Sequence, residues 1–368
     1  YDHYRIELPL AIAVAAASLQ GKYELVLVDE RVTPGYEQEV LRHLDDAICV
    51  GISSITGYQI KGGIAMARKV REANPEVPIV WGGYHPSLFP EQTCESWACD
   101  IACVGQGDVT FPEIVQKLAE EGKPPEDVPS SVYWTADGVV ANARRPLVAM
   151  SEILPIPYNL LDVSRTIELN QKQNRETIRT IEYHSSQGCP GKCAYCADAT
   201  LFQRRWTGVE AERMVDEIAG LVETYNLDQV NFSDANFFAN QKRVRAICSG
   251  FIERGLDIRW VASARPDTFH RYRPETLELI RDSGCKRVII GAESASAPVL
   301  ELITKGATAE DHLKSARTCS DYGIGGTFTF ITGFPRPAGE PPQETATDLL
   351  AFIEKIKQIN PNIRTKIF

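Results

Sequence analysis

The stretch "SSQGCPGKCAYCADAT" (185–200) sets Cys189, Cys193 and Cys196 at the spacing C-x3-C-x2-C, with Tyr195 directly before the last. A structural zinc site closes with four ligands, and an ordinary 4Fe-4S cluster is held by four thiolates. Three thiolates leave one metal position open to a small molecule. Completion by His184 or Asp198 would make a zinc knuckle instead, but that reading gives the motifs farther along the chain no role.

Around the cysteines the pattern is regular. A strand is expected just before them, near 179–185, and others near 228–233, 257–263, 286–291, 326–331 and 363–368. Amphipathic helices fill the intervals; Met214, Ile218, Leu221, Val222 and Tyr225 share one face at 3.6 spacing. Gly284 and Gly323 stand where helices should end, as left-handed caps. Six strand-helix repeats predict a partial (β/α)6 barrel, with its chemistry at the carboxyl ends of the strands.

Upstream, apolar runs at 23–29, 47–53, 77–83 and 100–105 alternate with helical stretches such as 59–73. This predicts an α/β domain with a doubly wound, Rossmann-like parallel sheet. Asp137-Gly138 marks a hairpin within 131–143, and 144–166 is proline-rich and irregular. The expected domains are therefore 1–143, a linker at 144–177, and the barrel at 178–368. The opening helix has no strand before it, so the first strand of the sheet domain is expected upstream of Tyr1, and the sequence stops in the sixth barrel strand.

Bulk properties narrow the function. The 368 residues are 43% hydrophobic and 24% charged, and 49 acidic against 39 basic side chains give a net charge of -10. That balance argues against a broad electrostatic grip on nucleic acid. The nearest approach to a membrane span, "LPLAIAVAAASL" (8–19), falls short of the required length of about 20 residues. Ten cysteines without a repeated tight spacing do not form a secreted disulfide framework, and a reducing cytoplasm is expected. The seven outside the cluster read as small buried apolar residues.

Three cysteines at this spacing with an aromatic among them, leading a six-fold alternation, resemble the radical S-adenosylmethionine (radical SAM) superfamily over about 178–368. The resemblance implies a 4Fe-4S cluster on Cys189, Cys193 and Cys196. Its open iron chelates SAM, and one electron splits the sulfonium to a 5'-deoxyadenosyl radical. It also implies SAM contacts from Tyr195, from Asp234 and Asn236 after strand two, and from Ser263 and Arg265 after strand three. Glu293 and Ser294 after strand four and Gly333 after strand five complete the set. Each is weak singly, since an acidic residue after a strand is more often a helix cap. Four motifs in register are not.

No G-x-G-x-x-G opens a helix after an upstream strand, which argues against a nicotinamide or flavin dinucleotide. The turns there resemble the cobalamin-binding domain that precedes the barrel in one large subfamily. Ser53 and Ser54 stand for its S-x-L element, Gly82 and Gly83 for its paired glycines, and Gly105 lies in the third turn. The D-x-H-x-x-G element is incomplete, because Asp29 is followed by Arg31 where histidine would stand. Without that donor the lower face of cobalt is expected to be empty or water-bound. A tight turn at Gly82-Gly83 and a serine helix cap are the competing explanation.

Together these imply an enzyme that methylates an unactivated carbon of a small molecule, using two SAM molecules per turnover and an electron donor such as flavodoxin or ferredoxin. The subfamily also contains ring-forming and rearranging members, including the anaerobic magnesium-protoporphyrin monomethyl ester cyclase. A methylthiotransferase would need a second cluster, for which Cys94, Cys99 and Cys103 are the nearest candidates. A plain iron-sulfur electron carrier would need a fourth cysteine close by.

Overall fold

In a computed structural model, described at residues 5–173, 177–335 and 344–368, the chain divides into two compact units, residues 1–175 and 176–368.

The first unit is built on a five-stranded sheet in the order β1-β2-β3-β4-β5. Strands β1 (Val50–Ser53), β2 (Ile79–Gly82) and β3 (Ile101–Cys103) run parallel; β4 (Ser131–Thr135) and β5 (Gly138–Ala141) add an antiparallel hairpin. Its turn is Ala136-Asp137, since Thr135 pairs with Gly138. Alternation along β2 sends Ile79 and Trp81 into one apolar cluster and Val80 into the other. Burial on both faces is what a parallel sheet requires.

The expected strand at 23–29 is not one. Among the described residues this stretch makes only an isolated bridge between Gln20 and Tyr23, and Val26 is 43% exposed. Its apolar alternation is genuine, but a strand exists only through a ladder partner, and none of the five strands pairs with it.

The proline-rich stretch after β5 is fastened to the first unit. Val148 N donates to Gln106 Oε1 at 2.8 Å, and Gln106 Nε2 donates to Val148 O at 2.9 Å. A helix, Val163–Gln173, follows, and Asn170 pairs through both amide atoms with the backbone of Ile6 at 2.8 Å. Residues 174–176 of the expected linker lie outside the described residues.

The second unit carries six parallel strands, all where the sequence places them. In chain order its strands are β6 (Thr180–Tyr183), β7 (Ser186–Gly188), β8 (Trp206–Gly208), β9 (Gln229–Phe232), β10 (Arg259–Ala264), β11 (Cys285–Glu293), β12 (Gly325–Phe330) and β13 (Arg364–Ile367). The main sheet runs β6-β9-β10-β11-β12-β13, each neighbour parallel. Gly284 and Gly323 hold φ +93° and +66° after their helices, as left-handed caps do. The remaining two strands, β7 and β8, form a separate antiparallel ribbon that the sequence pattern did not reveal. It closes the base of the cysteine loop, which leaves at Gly188 and returns at Trp206.

Candidate functional site

Parallel strands bring all their carboxyl ends to one edge of the second unit, and the cysteine loop follows the first of them. Cys193 is 7% exposed, while Cys189 and Cys196 are half-buried. The loop's backbone turns on itself, with Cys196 N donating to Cys193 O at 3.1 Å. Among the described residues no three His, Cys, Asp or Glu side chains converge as ligands of a single ion.

Two of the sulfurs already have donors aimed at them. Asn236 Nδ2 donates to Cys189 Sγ at 3.8 Å, and Arg265 Nη1 donates to Cys193 Sγ at 3.4 Å. Gly191 lies between: a Cβ there would stand 2.7 Å from Arg265 Nη1 and 3.4 Å from Cys189 Sγ, so a side chain there would have to displace the guanidinium. Burial works against the Arg265 charge, but the Asp267 carboxylate at 3.0 Å outweighs it, so the guanidinium pKa is raised.

Asn236 is 1% exposed, and its Oδ1 has no hydrogen-bond partner among the described residues. A buried amide oxygen left unpaired costs about 1–3 kcal/mol, which a ligand N–H beside Cys189 would offset. Its neighbours Phe237 and Phe238 fix the backbone from below, where Phe237 stacks on Phe232 at 4.7 Å and Phe238 packs on Trp260 and Phe269.

Asp234, expected beside the ligand, turns inward. It is 2% exposed and accepts from Ser185 N at 2.7 Å, Ser185 Oγ at 2.5 Å and Ser186 Oγ at 2.7 Å. Its carboxylate therefore holds the corner between β6 and β7, immediately ahead of the cysteines. Ser294 is likewise engaged: its Oγ donates to Glu344 Oε2 at 2.8 Å and accepts from Ser296 N at 3.0 Å. Ser263 is half-buried inside β10 opposite Ile289, one residue short of the strand end. Gly333 is exposed at φ +77°, with open space where a Cβ would be.

Glu293 ends β11 at φ +66°, an unusual conformation for a side chain with a Cβ, and is 7% exposed. Its Oε1 meets Lys305 Nζ at 2.8 Å, and the same Nζ lies 3.4 Å from Tyr195 OH. Burial, followed by the Glu293 charge, raises the Tyr195 phenol above its ordinary value and keeps it a neutral donor. Lys305 was not singled out by the sequence; a lone lysine before a glycine carries no signal.

The carboxyl edge of the first unit brings its own predicted residues together. Ser54 N donates to Gly82 O at 2.9 Å, and His85 N donates to Ser54 O at 3.1 Å. Ser87 Oγ donates to Gly83 O at 2.6 Å and accepts from Gly105 N at 2.8 Å, so all three turns are linked. Gly83 holds φ +95°, and a Cβ there would stand 2.7 Å from Ser54 O and 3.2 Å from Ser53 Oγ. Ser54 is 1% exposed with no partner for its Oγ among the described residues. Bare glycine backbone and the unpaired Ser54 hydroxyl thus lie together at this edge. Arg31, in the place of the missing histidine, forks onto Asp29 with Nε at 2.9 Å and Nη2 at 2.7 Å.

The candidate second cluster is not assembled. Cys94 and Cys99 lie with Sγ atoms 3.7 Å apart in one apolar cluster, and Cys103 belongs to the other. Burial raises Cys103 to about 12. No helix among the described residues is long and apolar enough to cross a membrane.

The radical SAM superfamily model matches residues 183–349, and the B12 binding domain model matches residues 4–115. An uncharacterized methyltransferase of Pyrococcus horikoshii is 30% identical over 357 residues, covering 96% of this chain and 73% of that protein. The anaerobic magnesium-protoporphyrin IX monomethyl ester cyclase of Synechocystis is 22% identical over 329 residues, covering 88% of this chain and 64% of its own length. Among solved structures, the radical SAM methyltransferase TsrM from Kitasatospora setae, with cobalamin and a [4Fe-4S] cluster bound, superposes with TM-score 0.80 at 17% identity. That match covers 100% of this chain and 73% of TsrM. At that identity the likeness shows the fold.

Proposed function

We propose, for a chain that belongs to the radical SAM superfamily and carries a B12 binding domain, that it methylates an unactivated carbon of a small molecule. The reading is supported by one observation above others. A loop with three cysteines carries donors aimed at two of its sulfurs and an unpaired amide oxygen beside them, in a chain that also has a glycine pressed onto an unpaired serine at a sheet edge.

Cys189, Cys193 and Cys196 would each hold one iron of a 4Fe-4S cluster. Asn236 Oδ1 would accept from the SAM ammonium, and Arg265 would face its carboxylate by a charge-assisted hydrogen bond. Tyr195, Glu293 and the backbone near Gly333 would line the nucleoside, with Ser263 and Ser294 behind them. Asp234 would hold the corner that presents the loop. In the first unit Ser53, Ser54, Gly82, Gly83 and Gly105 would line the cobalamin tail. When bound, the reduced cluster supplies the electron that splits SAM, and cobalamin supplies the methyl group. Arg265 and Asn236 would meanwhile orient the sulfonium.

A low-potential donor such as ferredoxin or flavodoxin and a cytoplasmic setting belong to the same proposal. Ring closure or rearrangement is the second reading, supported by the cyclase match over 88% of the chain. Anaerobic incubation with SAM, reductant, cobalamin and candidate small molecules separates them. Both 5'-deoxyadenosine and S-adenosylhomocysteine are expected for methylation, and 5'-deoxyadenosine alone would favour cyclisation. An undiminished yield from Cys193→Ala would remove the site assignment.

A further inference from the structure

One segment grips the cysteine loop from outside it. The helix Ala297–Leu302 ends at Ile303, and residues 303–305 then bond to the loop. Ala194 N donates to Ile303 O at 2.9 Å, and Thr304 Oγ1 donates to Lys192 O at 2.6 Å. Lys305 O accepts from Arg265 Nη2, the arginine that also donates to Cys193 Sγ. Lys305 Nζ stands between Glu293 and Tyr195. Lys192, Cys193, Ala194 and Tyr195 are thus all held, directly or through Arg265, by three consecutive residues. The apolar anchor beneath is Val299, Leu300 and Ile303, packed with Phe334, whose ring lies 6.0 Å from that of Tyr195.

The backbone carries strain at two points of this contact. Thr304 holds φ +50° and Glu293 φ +66°. A β-branched residue in the left-handed region is an outlier, and it persists only where the surroundings enforce it. The Lys305–Glu293 pair has side chains only 5% and 9% exposed. A buried pair of this kind adds little net stability, because desolvation offsets the attraction; its best-attested use is to fix register. Strain and a buried ion pair on one short segment are hard to explain by stability alone.

We infer that residues 303–305 are a clamp on the cysteine loop, and that Thr304 and Lys305 are positioning residues for the proposed reaction. Thr304 sets the loop that holds the cluster, and Lys305 registers Tyr195 against Glu293. This rests on the reading of the loop as the cluster and SAM site, but its first test does not. In iron-free protein, hydrogen exchange of the peptide covering 189–201 is compared among wild type, Thr304→Val, Lys305→Met and Lys305→Arg. Thr304→Val keeps the shape and the strain but loses the bond, so loop exchange is expected to rise about tenfold, with β12 unchanged. Lys305→Met is expected to do likewise, and Lys305→Arg to restore much of the protection. Wild-type protection in both Thr304→Val and Lys305→Met would overturn the clamp.

The second test uses anaerobically reconstituted protein and the electron paramagnetic resonance of the reduced cluster, titrated with SAM. Lys305→Met is expected to keep its iron while its SAM dissociation constant rises about tenfold, the scale of one charge-assisted hydrogen bond. Lys305→Arg is expected to recover most of that loss. Unchanged SAM affinity in Lys305→Met would overturn the registering role. Wild-type protein that takes up no iron would defeat the reading of the site, while the exchange data would still decide the clamp.

Discussion

Gly83 crosses Ser54 so closely that a single added carbon on the glycine would stand 2.7 Å from the serine carbonyl oxygen. The contact joins the turns after β1 and β2, and Gly83 is held at φ +95°. Gly83→Ala meets both a backbone clash and a disfavoured conformation, at a cost of about 1–3 kcal/mol. Loss of cobalamin on gel filtration is expected together with a lower denaturation midpoint. Full cobalamin retention by Gly83→Ala would show that this turn does not line the ligand.

Asn236 has a buried oxygen with nothing to bond. Asn236→Ala is therefore expected to cost little stability, since relief of the unpaired acceptor offsets the lost packing and the long bond to Cys189 Sγ, while weakening SAM binding about ten- to hundredfold, or about 1.4–2.8 kcal/mol. Equilibrium dialysis of reconstituted protein measures this. A large loss of stability with unaltered SAM affinity would make the residue a structural one.

Asp234 predicts the reverse. With three donors on its carboxylate, Asp234→Asn replaces a charged acceptor of three bonds by an amide that can match only part of them. A destabilisation of about 2–3 kcal/mol is expected in urea melts. Iron retention should fall with the corner that presents the loop, and SAM affinity per intact cluster should not change.

His312 gives a pH signature. The side chain is fully buried, neither ring nitrogen has a partner among the described residues, and Phe352 lies edge-on at 6.0 Å. Burial, helped by the Lys305 charge and opposed by Asp311, pushes its pKa down to about 4. The unfolded chain takes up this proton near pH 6.5 and the folded protein only near 4, so the unfolded state binds more protons in between. The contribution is complete above pH 6.5 and is lost progressively as pH falls toward 4, by about 3 kcal/mol. His312→Phe should flatten that part of the stability profile; an equal slope in the variant would exclude His312 as its source.

Much of this protein was legible in its residues. The two periods, the order of domains and the spacing of Cys189, Cys193 and Cys196 follow from local pattern, and all six strands of the second sheet lie where the alternation puts them. The run at 23–29 misled because apolar alternation reports an element's faces and not its partner. Asp234 and Ser294 lie beyond strand ends as expected, yet position in the chain says nothing of where a side chain points.

Sequence by itself determined the two α/β units, the spacing of the three cysteines and the glycines and serines of the sheet edge, because each depends on residue type and short-range spacing. Only the tertiary structure decided that Asp234 turns inward and that Thr304 and Lys305 hold the cysteine loop. Thr304 and Lys192 are 112 residues apart in the chain. A contact of that range is fixed by how strands and helices pack, and no local preference encodes it.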